Sequence, residues 1–286
     1  MVKLLKMKYV TLLIVVLFPF LSRAQRRMEF MPKQNLWHVQ TLDPNASQSS
    51  AMCVGYWIDK KPADFLLTAF AFGFQRAFFA WPVSDDKGYD LGLEGAALTN
   101  FEWTNRNGTI ERNNLSTDFW IGVPFVIHFR PWTVRIRFYH LSSHMGDDYM
   151  IRNNITSYFK NNANYEQLDV TVMRVIKNFR FYAGTGLVVH SALGERKPLS
   201  FTFETDYLLI LNREKSCQFY AGLFVSSKQA FGFTPAFNVG TGLQLGKPDR
   251  LPVKILVTYF NGPLPYSVYE GKPVQWLGAS IYIPLF

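Results

Sequence analysis

The chain has 286 residues, of which 48% are hydrophobic, 16% aromatic and only 18% charged, with 26 Phe and two Cys. That balance excludes intrinsic disorder, which goes with few aromatics and much charge, and two Cys are too few for a disulfide framework or a four-Cys zinc site. The formal charge of +9 comes without a basic run, so no nucleic-acid partner is expected; many aromatics with few charges fit a chain whose outside meets lipid.

Residues 1–24 carry Lys3, Lys6 and Lys8, then an apolar run from Val10 to Phe18, then Ser22-Arg23-Ala24. A basic start, a short apolar core and small residues at −3 and −1 predict a secretory signal peptide, and the run is too short for a membrane-spanning helix. Its removal would take four positive charges (Lys3, Lys6, Lys8, Arg23) and no acid, leaving +5 and a mature chain beginning at Gln25. Residues 25–50 are mixed, with Pro32, Pro44 and a Ser/Gln run, and read as a periplasmic N-terminal lead.

From 51 to 286 the apolar residues alternate at period two. Strands are expected at 51–58, 65–80, 89–103, 115–127, 132–142, 165–176, 179–190, 200–211, 217–228, 234–246, 251–261 and 274–286. In 115–127, for example, Phe119, Ile121, Val123 and Phe125 share one face, opposite Ser116, Asp118 and Gly122. Most of these segments are about twice the length of an ordinary globular strand and match a tilted strand that crosses a membrane. Short links at 128–131, 177–178, 212–216 and 247–250 interleave with longer ones at 104–114, 143–164, 191–199 and 262–273. Short turns at one end and long loops at the other belong to an all-β transmembrane antiparallel β-barrel of about 12 strands. An even count puts both termini on one side, and the terminal Phe286 resembles the signal read by bacterial barrel-assembly machinery. The expected location is the bacterial outer membrane. A soluble secreted β-protein is the competing reading, disfavoured by strand length.

Within 132–142, Trp132, Val134, Ile136 and Phe138 alternate with Thr133, Arg135, Arg137 and Tyr139. Two Arg at mid-membrane depth belong in the lumen, so by the same parity His140 and Ser142 face lipid, near the external rim. A His and a Ser two residues apart on a strand point the same way, and the His can act as general base to the Ser. The same residues also allow a polar cap hydrogen-bonded across the rim, or a transition-metal site of His140, His144 and Asp147 or Asp148. Asp90, Glu94, Asp118, Arg135, Arg137, Asp169, Glu204, Asp206 and Lys254 fall on lumen faces and are expected to pair into a network; a small-solute pore is the alternative. Gly184-Thr-Gly186 and Gly240-Thr-Gly242 lie inside strands and read as packing positions rather than phosphate loops. The sequons at Asn45, Asn107, Asn114 and Asn154 have no expected use in a bacterial barrel, and Cys53 and Cys217 can pair only if their strands are close.

The segment from Tyr139 to Tyr149 (Y-H-L-S-S-H-M-G-D-D-Y), followed by Arg152-Asn153, resembles the signature of a bacterial outer-membrane family, domain-of-unknown-function family 1207. A second, weaker resemblance is to outer-membrane phospholipase A, a twelve-stranded barrel with a His-x-Ser pair on its lipid-facing wall, an Asn twelve residues on and calcium in the intervening loop. On that resemblance Ser142 is the nucleophile, His140 the base and Asn154 the orienting residue, with calcium near Asp147 and Asp148. Lipid A deacylase barrels are similar, with Glu in the third role. The chain departs from the phospholipase after the Ser, where Ser143-His144 replaces Asn-Gly. The reading is an acyl-ester hydrolase acting on phospholipid or lipid A, with a structural or partner-binding barrel or narrow pore as the alternative. Partners are outer-membrane lipid and, during biogenesis, the assembly machinery; a homodimer or larger membrane complex is left open.

Overall fold

The computed structural model describes residues 28–156, 163–192, 196–247 and 251–283. The expected signal peptide and Phe286 lie outside these residues. A two-residue strand β1 (Glu29–Phe30) precedes β2 (Ser49–Ile58), β3 (Lys61–Ser84), β4 (Lys87–Arg106), β5 (Thr109–Phe129) and β6 (Trp132–Met145). A short helix α1 (Asp147–Arg152) follows, then β7 (Asn164–Ile176), β8 (Phe179–Ser191), β9 (Leu199–Ile210), β10 (Cys217–Lys228), β11 (Pro235–Leu245), β12 (Val253–Pro263) and β13 (Pro273–Ile283). Strands β2 to β13 pair antiparallel with their sequence neighbours, and β13 returns to β2, so twelve strands close into a barrel. Closure removes the exposed edges that an open sheet would present.

Two expectations change. The 104–114 stretch is not a loop: the β4–β5 ladder runs to Arg106↔Thr109, and a two-residue turn, Asn107-Gly108, closes it. Both turn residues have positive φ, 53° and 83°, the backbone that a type I′ hairpin requires and that Asn-Gly supplies. The N-terminal lead is also not a free periplasmic segment. After β1 pairs with β3 near its C-terminal end (Glu29↔Ala80), the chain up to residue 48 turns into the lumen and occupies much of it, with Trp37 and Leu42 buried among the strands.

Period-two alternation accounts for the wall. On β6, Thr133, Arg135, Arg137, Tyr139, Leu141 and Ser143 are buried inside, while Trp132, Phe138 and His144 are exposed outside. On β12, Leu256, Thr258 and Phe260 are buried, and Ile255, Val257 and Tyr259 are exposed. The lumen holds part of the expected ionic network: Arg137 contacts Glu94 at 3.0 Å and Asp169 at 2.5 Å, Arg135 contacts Glu94 at 3.6 Å, and Arg180, not among the expected members, contacts Asp206 at 3.3 Å. Asp90, Asp118 and Glu204 instead accept backbone N–H groups, and Lys254 donates to Thr41.

The N-terminal segment completes this interior. Trp37 packs with Val126, Met173 and Tyr182, and Leu42 with Tyr220, Phe224 and Leu256. Leu42 N donates to Glu204 Oε1 (3.0 Å), its carbonyl accepts from Asn238 Nδ2 (2.8 Å), and Lys254 Nζ donates to Thr41 Oγ1 (2.8 Å). From the opposite end the β12–β13 loop folds inward, with Ser267 N on Asp118 Oδ2 at 3.0 Å and Pro265 O accepting from Asn45 and Lys228. The remaining spaces around Asp43 and Pro44 amount to two cavities of about 40 Å³ each, room for one or two waters. Cys53 and Cys217 are both free thiols.

Candidate functional site

The outward face of β6 near its C-terminal end carries His140 and Ser142, as the parity predicts, and Ser143 points to the lumen. The register sets their neighbours. His140 lies between Ile121 on β5 and Glu166 on β7, and Ser142 between Phe119 and Asn164. Directly paired residues share a face, so Asn164 and Glu166 also point outward. One β-strand further, His190 of β8 is paired with Glu166.

Of these side chains, His140, Glu166 and His190 form a connected polar row. His140 Nδ1 is 3.1 Å from Glu166 Oε1, and His190 Nδ1 is 2.5 Å from Glu166 Oε2. A carboxylate can only accept, so the shared Glu166 places a proton on Nδ1 of each imidazole and leaves Nε2 of His140 as its basic nitrogen. The side chains are 41% (His140), 28% (Glu166) and 49% (His190) exposed, within reach of a molecule on the outer surface. On the β5 side the row meets an apolar groove of about 310 Å³ whose lining includes His140.

Asn154, the expected orienting residue, sits beyond α1 at a left-handed φ of 53° and is exposed; the contact to His140 Nδ1 is made by Glu166 instead. Glu166 and His190 escaped the sequence reading because they are 26 and 50 residues downstream of His140 in the chain, and only the strand register brings them together. A Glu at the start of an outward-facing apolar run (Glu166, Leu168, Val170) was the available signal, since acidic groups are uncommon on a lipid face.

The other expected roles do not assemble. Both carboxylate oxygens of Asp148 accept backbone N–H groups, from Asn114 and from Tyr149, each at 2.9 Å, while Asp147 is exposed at the start of α1. A calcium cage needs six to eight oxygens, and the Asp147–Asp148 pair does not fit one. His144 packs its ring edge-on to Phe119, centroids 5.7 Å apart, away from a shared site with His140. No group of three or more His, Cys, Asp or Glu able to hold a metal occurs among the described residues.

Among solved structures, a Salmonella typhi outer membrane phospholipase dimer with bound calcium is similar at a TM-score of 0.54 and 10% identity, over 89% of this chain and 96% of that one. The Escherichia coli outer membrane phospholipase A is similar at 0.51 and 11% identity, over 92% and 96%. At such identities the likeness is one of fold, that of outer-membrane barrels. No curated protein matches the sequence. A family model described as "Protein of unknown function (DUF1207)" matches residues 25–282, nearly the whole barrel together with its internal N-terminal segment, and the chain belongs to that family.

Proposed function

We propose that this protein is an outer-membrane hydrolase that cleaves acyl esters of membrane lipid at the outer wall of its barrel. The observation that carries the reading is the Glu166–His140 contact at Nδ1, beside a serine on the same lipid-facing strand. Ser142 Oγ attacks the ester carbonyl while His140 Nε2 takes its proton; His140 returns the proton to the departing alcohol, and water then releases the fatty acid by the same steps in reverse roles. Glu166 holds the imidazole in the required tautomer and stabilises its protonated form. Asn164, paired directly with Ser142 across β6 and β7, serves in this reading as the side-chain donor to the developing oxyanion. No step is routed through calcium.

The test is fatty-acid release from phospholipid or lipid A in mixed micelles. Ser142→Ala and His140→Ala each abolish release, and the double variant is no worse than either, because the two act as a unit. Glu166→Gln lowers kcat roughly 10²–10⁴-fold, and Glu166→Asp restores part of it with a shifted pH profile. Asn154→Ala and Ser143→Ala retain activity. Wild type that releases no fatty acid from either lipid, with or without calcium, refutes the hydrolase.

A second reading, a solute-handling barrel, has one observation in its favour: a cavity of about 520 Å³ on the N-terminal side of the lumen, lined in part by Lys33, His38, Arg180 and Lys254. Steady conductance of small anions through wild-type barrels in a planar bilayer would favour it.

A further inference from the structure

Two neighbouring rows cross the outer wall from β3 to β6. The first runs Phe72, Ala97, Phe119, Ser142, and the second Phe74, Gly95, Ile121, His140. On β4 both rows carry the smallest side chains, between aromatic residues on β3 and Phe119 and Ile121 on β5. The result is the apolar groove of about 310 Å³. Its floor is fixed by the backbone: a Cβ on Gly95 would stand 3.0 Å from the Trp120 carbonyl oxygen and 3.5 Å from Phe74 Cε1, so any larger residue there both crowds β5 and fills the space.

We propose that this groove seats one acyl chain of a membrane lipid and aims its carboxyl end at Ser142. The inference rests on the hydrolase reading for its chemistry and on three observations for its occupant. The groove opens outward on the lipid-facing wall, where Phe72 is 74% exposed. It is apolar along its length until it meets the polar row. Its last apolar residues, Phe119 and Ile121, are the direct partners of Ser142 and His140, so a chain lying over them brings its ester to the nucleophile. Three strand spacings, roughly 14 Å, separate β3 from β6, which accommodates the carboxyl-proximal part of a chain and leaves its tail in the bilayer. Gly95 and Ala97 then set which chains fit.

The experiment uses the full barrel in nanodiscs containing a phospholipid with a diazirine in mid-chain, followed by photolysis and peptide mapping. Label should concentrate several-fold on peptides spanning 95–97 and 119–121 over the equally lipid-exposed 253–259 of β12. Ala97→Phe, which fills the groove, should remove that enrichment, and in the hydrolase assay should shift preference toward shorter chains. Ala97→Leu serves if the Phe variant loses the heat-modifiable mobility of a folded barrel. Even labelling around the wall, or enrichment unchanged by either variant, overturns the proposal. Labelling reads occupancy alone: an enriched groove in a protein that releases no fatty acid sinks the hydrolase and leaves the seat standing, whereas fatty-acid release with even labelling does the reverse.

Discussion

Leu42 offers a direct perturbation of the filled lumen. Its side chain is 0% exposed and lies against Tyr220, Phe224 and Leu256. Its two methyls sit over paired glycines: a Cβ on Gly222 would come within 2.9 Å of Leu42 Cδ1, and one on Gly240 within 2.7 Å of Cδ2. Leu42→Ala would leave a hole bounded by strand backbone that cannot collapse into it, so the cost falls in the upper part of the large-to-small range, about 3–5 kcal/mol. The barrel ladder does not pass through residues 31–48, so the loss should appear as release of this segment rather than unfolding. At about 1.4 kcal/mol per tenfold, the released population rises roughly 10²–10⁴-fold. Amide exchange reads it: the Leu42 N–H, donated to Glu204 in the native lumen, should exchange faster by that factor while the β9–β11 amides stay protected. Gly240→Ala should produce the same release without altering Leu42. Unchanged exchange at 37–47, or equal acceleration in β9–β11, would refute the reasoning.

The wall and the far mouth yield two further expectations. Ile255→Arg, on an exposed apolar position of β12, should destabilise the barrel by about 2–4 kcal/mol near mid-membrane, and Lys254→Arg in the lumen by much less, as measured by urea titration in lipid vesicles; equal costs would overturn the assigned faces. At the mouth, Glu270 binds Arg196 and Lys228, each at 2.8 Å. Burial alone would raise its carboxyl, but Lys228 and Arg196 together hold it below the ordinary value of 4.5. A carboxylate whose folded value lies below its unfolded one stabilises fully above the unfolded value, and loses that contribution as pH falls through the folded one. A spin label at Lys272 should therefore gain mobility only on acidification below about pH 4.5, and Glu270→Gln should already show the mobile spectrum at pH 7.

The barrel was legible because its cause is local. Alternation within each strand places Arg135 inside and Ile136 outside without knowledge of any partner, and the same parity correctly put His140 and Ser142 on the outer face. The Asn107-Gly108 turn is missed by the expectation of a long link at 104–114, although that dipeptide between alternating runs is itself a hairpin signal. Two features were not legible. Residues 31–48 have no periodicity because each side chain is matched to a different strand: Trp37 to Tyr182, Leu42 to Gly222 and Gly240, Ser47 to Trp120. Gly240-Thr-Gly242 was correctly read as a packing position, but the residue packed there comes from the N-terminus, almost 200 positions earlier. Glu166 stands out in its own strand only as an acid on an apolar face; its pairing with His140 comes from register alone.

A twelve-strand barrel is wider than the eight-strand barrels that side chains alone can fill, and here the extra width is taken up by an internal segment, an inward-folded loop and buried ion pairs. That arrangement makes the lumen a stiff support. For the proposed hydrolase that rigidity would matter most on the outside, because a hydrogen-bonded ladder holds Ser142, His140 and Glu166 in register more tightly than loops would. Their placement is also inexpensive: a polar or charged group on the lipid face costs about 2–4 kcal/mol at mid-membrane but roughly 0–1 near the interface, and the row sits towards the rim. Surrounded by Phe119, Ile121, Phe138 and Leu168, an isolated His or Glu would still prefer water. Joining His140, Glu166 and His190 through one carboxylate satisfies them locally, while His140 and Ser142 stay partly exposed on the outer face, where the proposed hydrolase would meet a lipid ester.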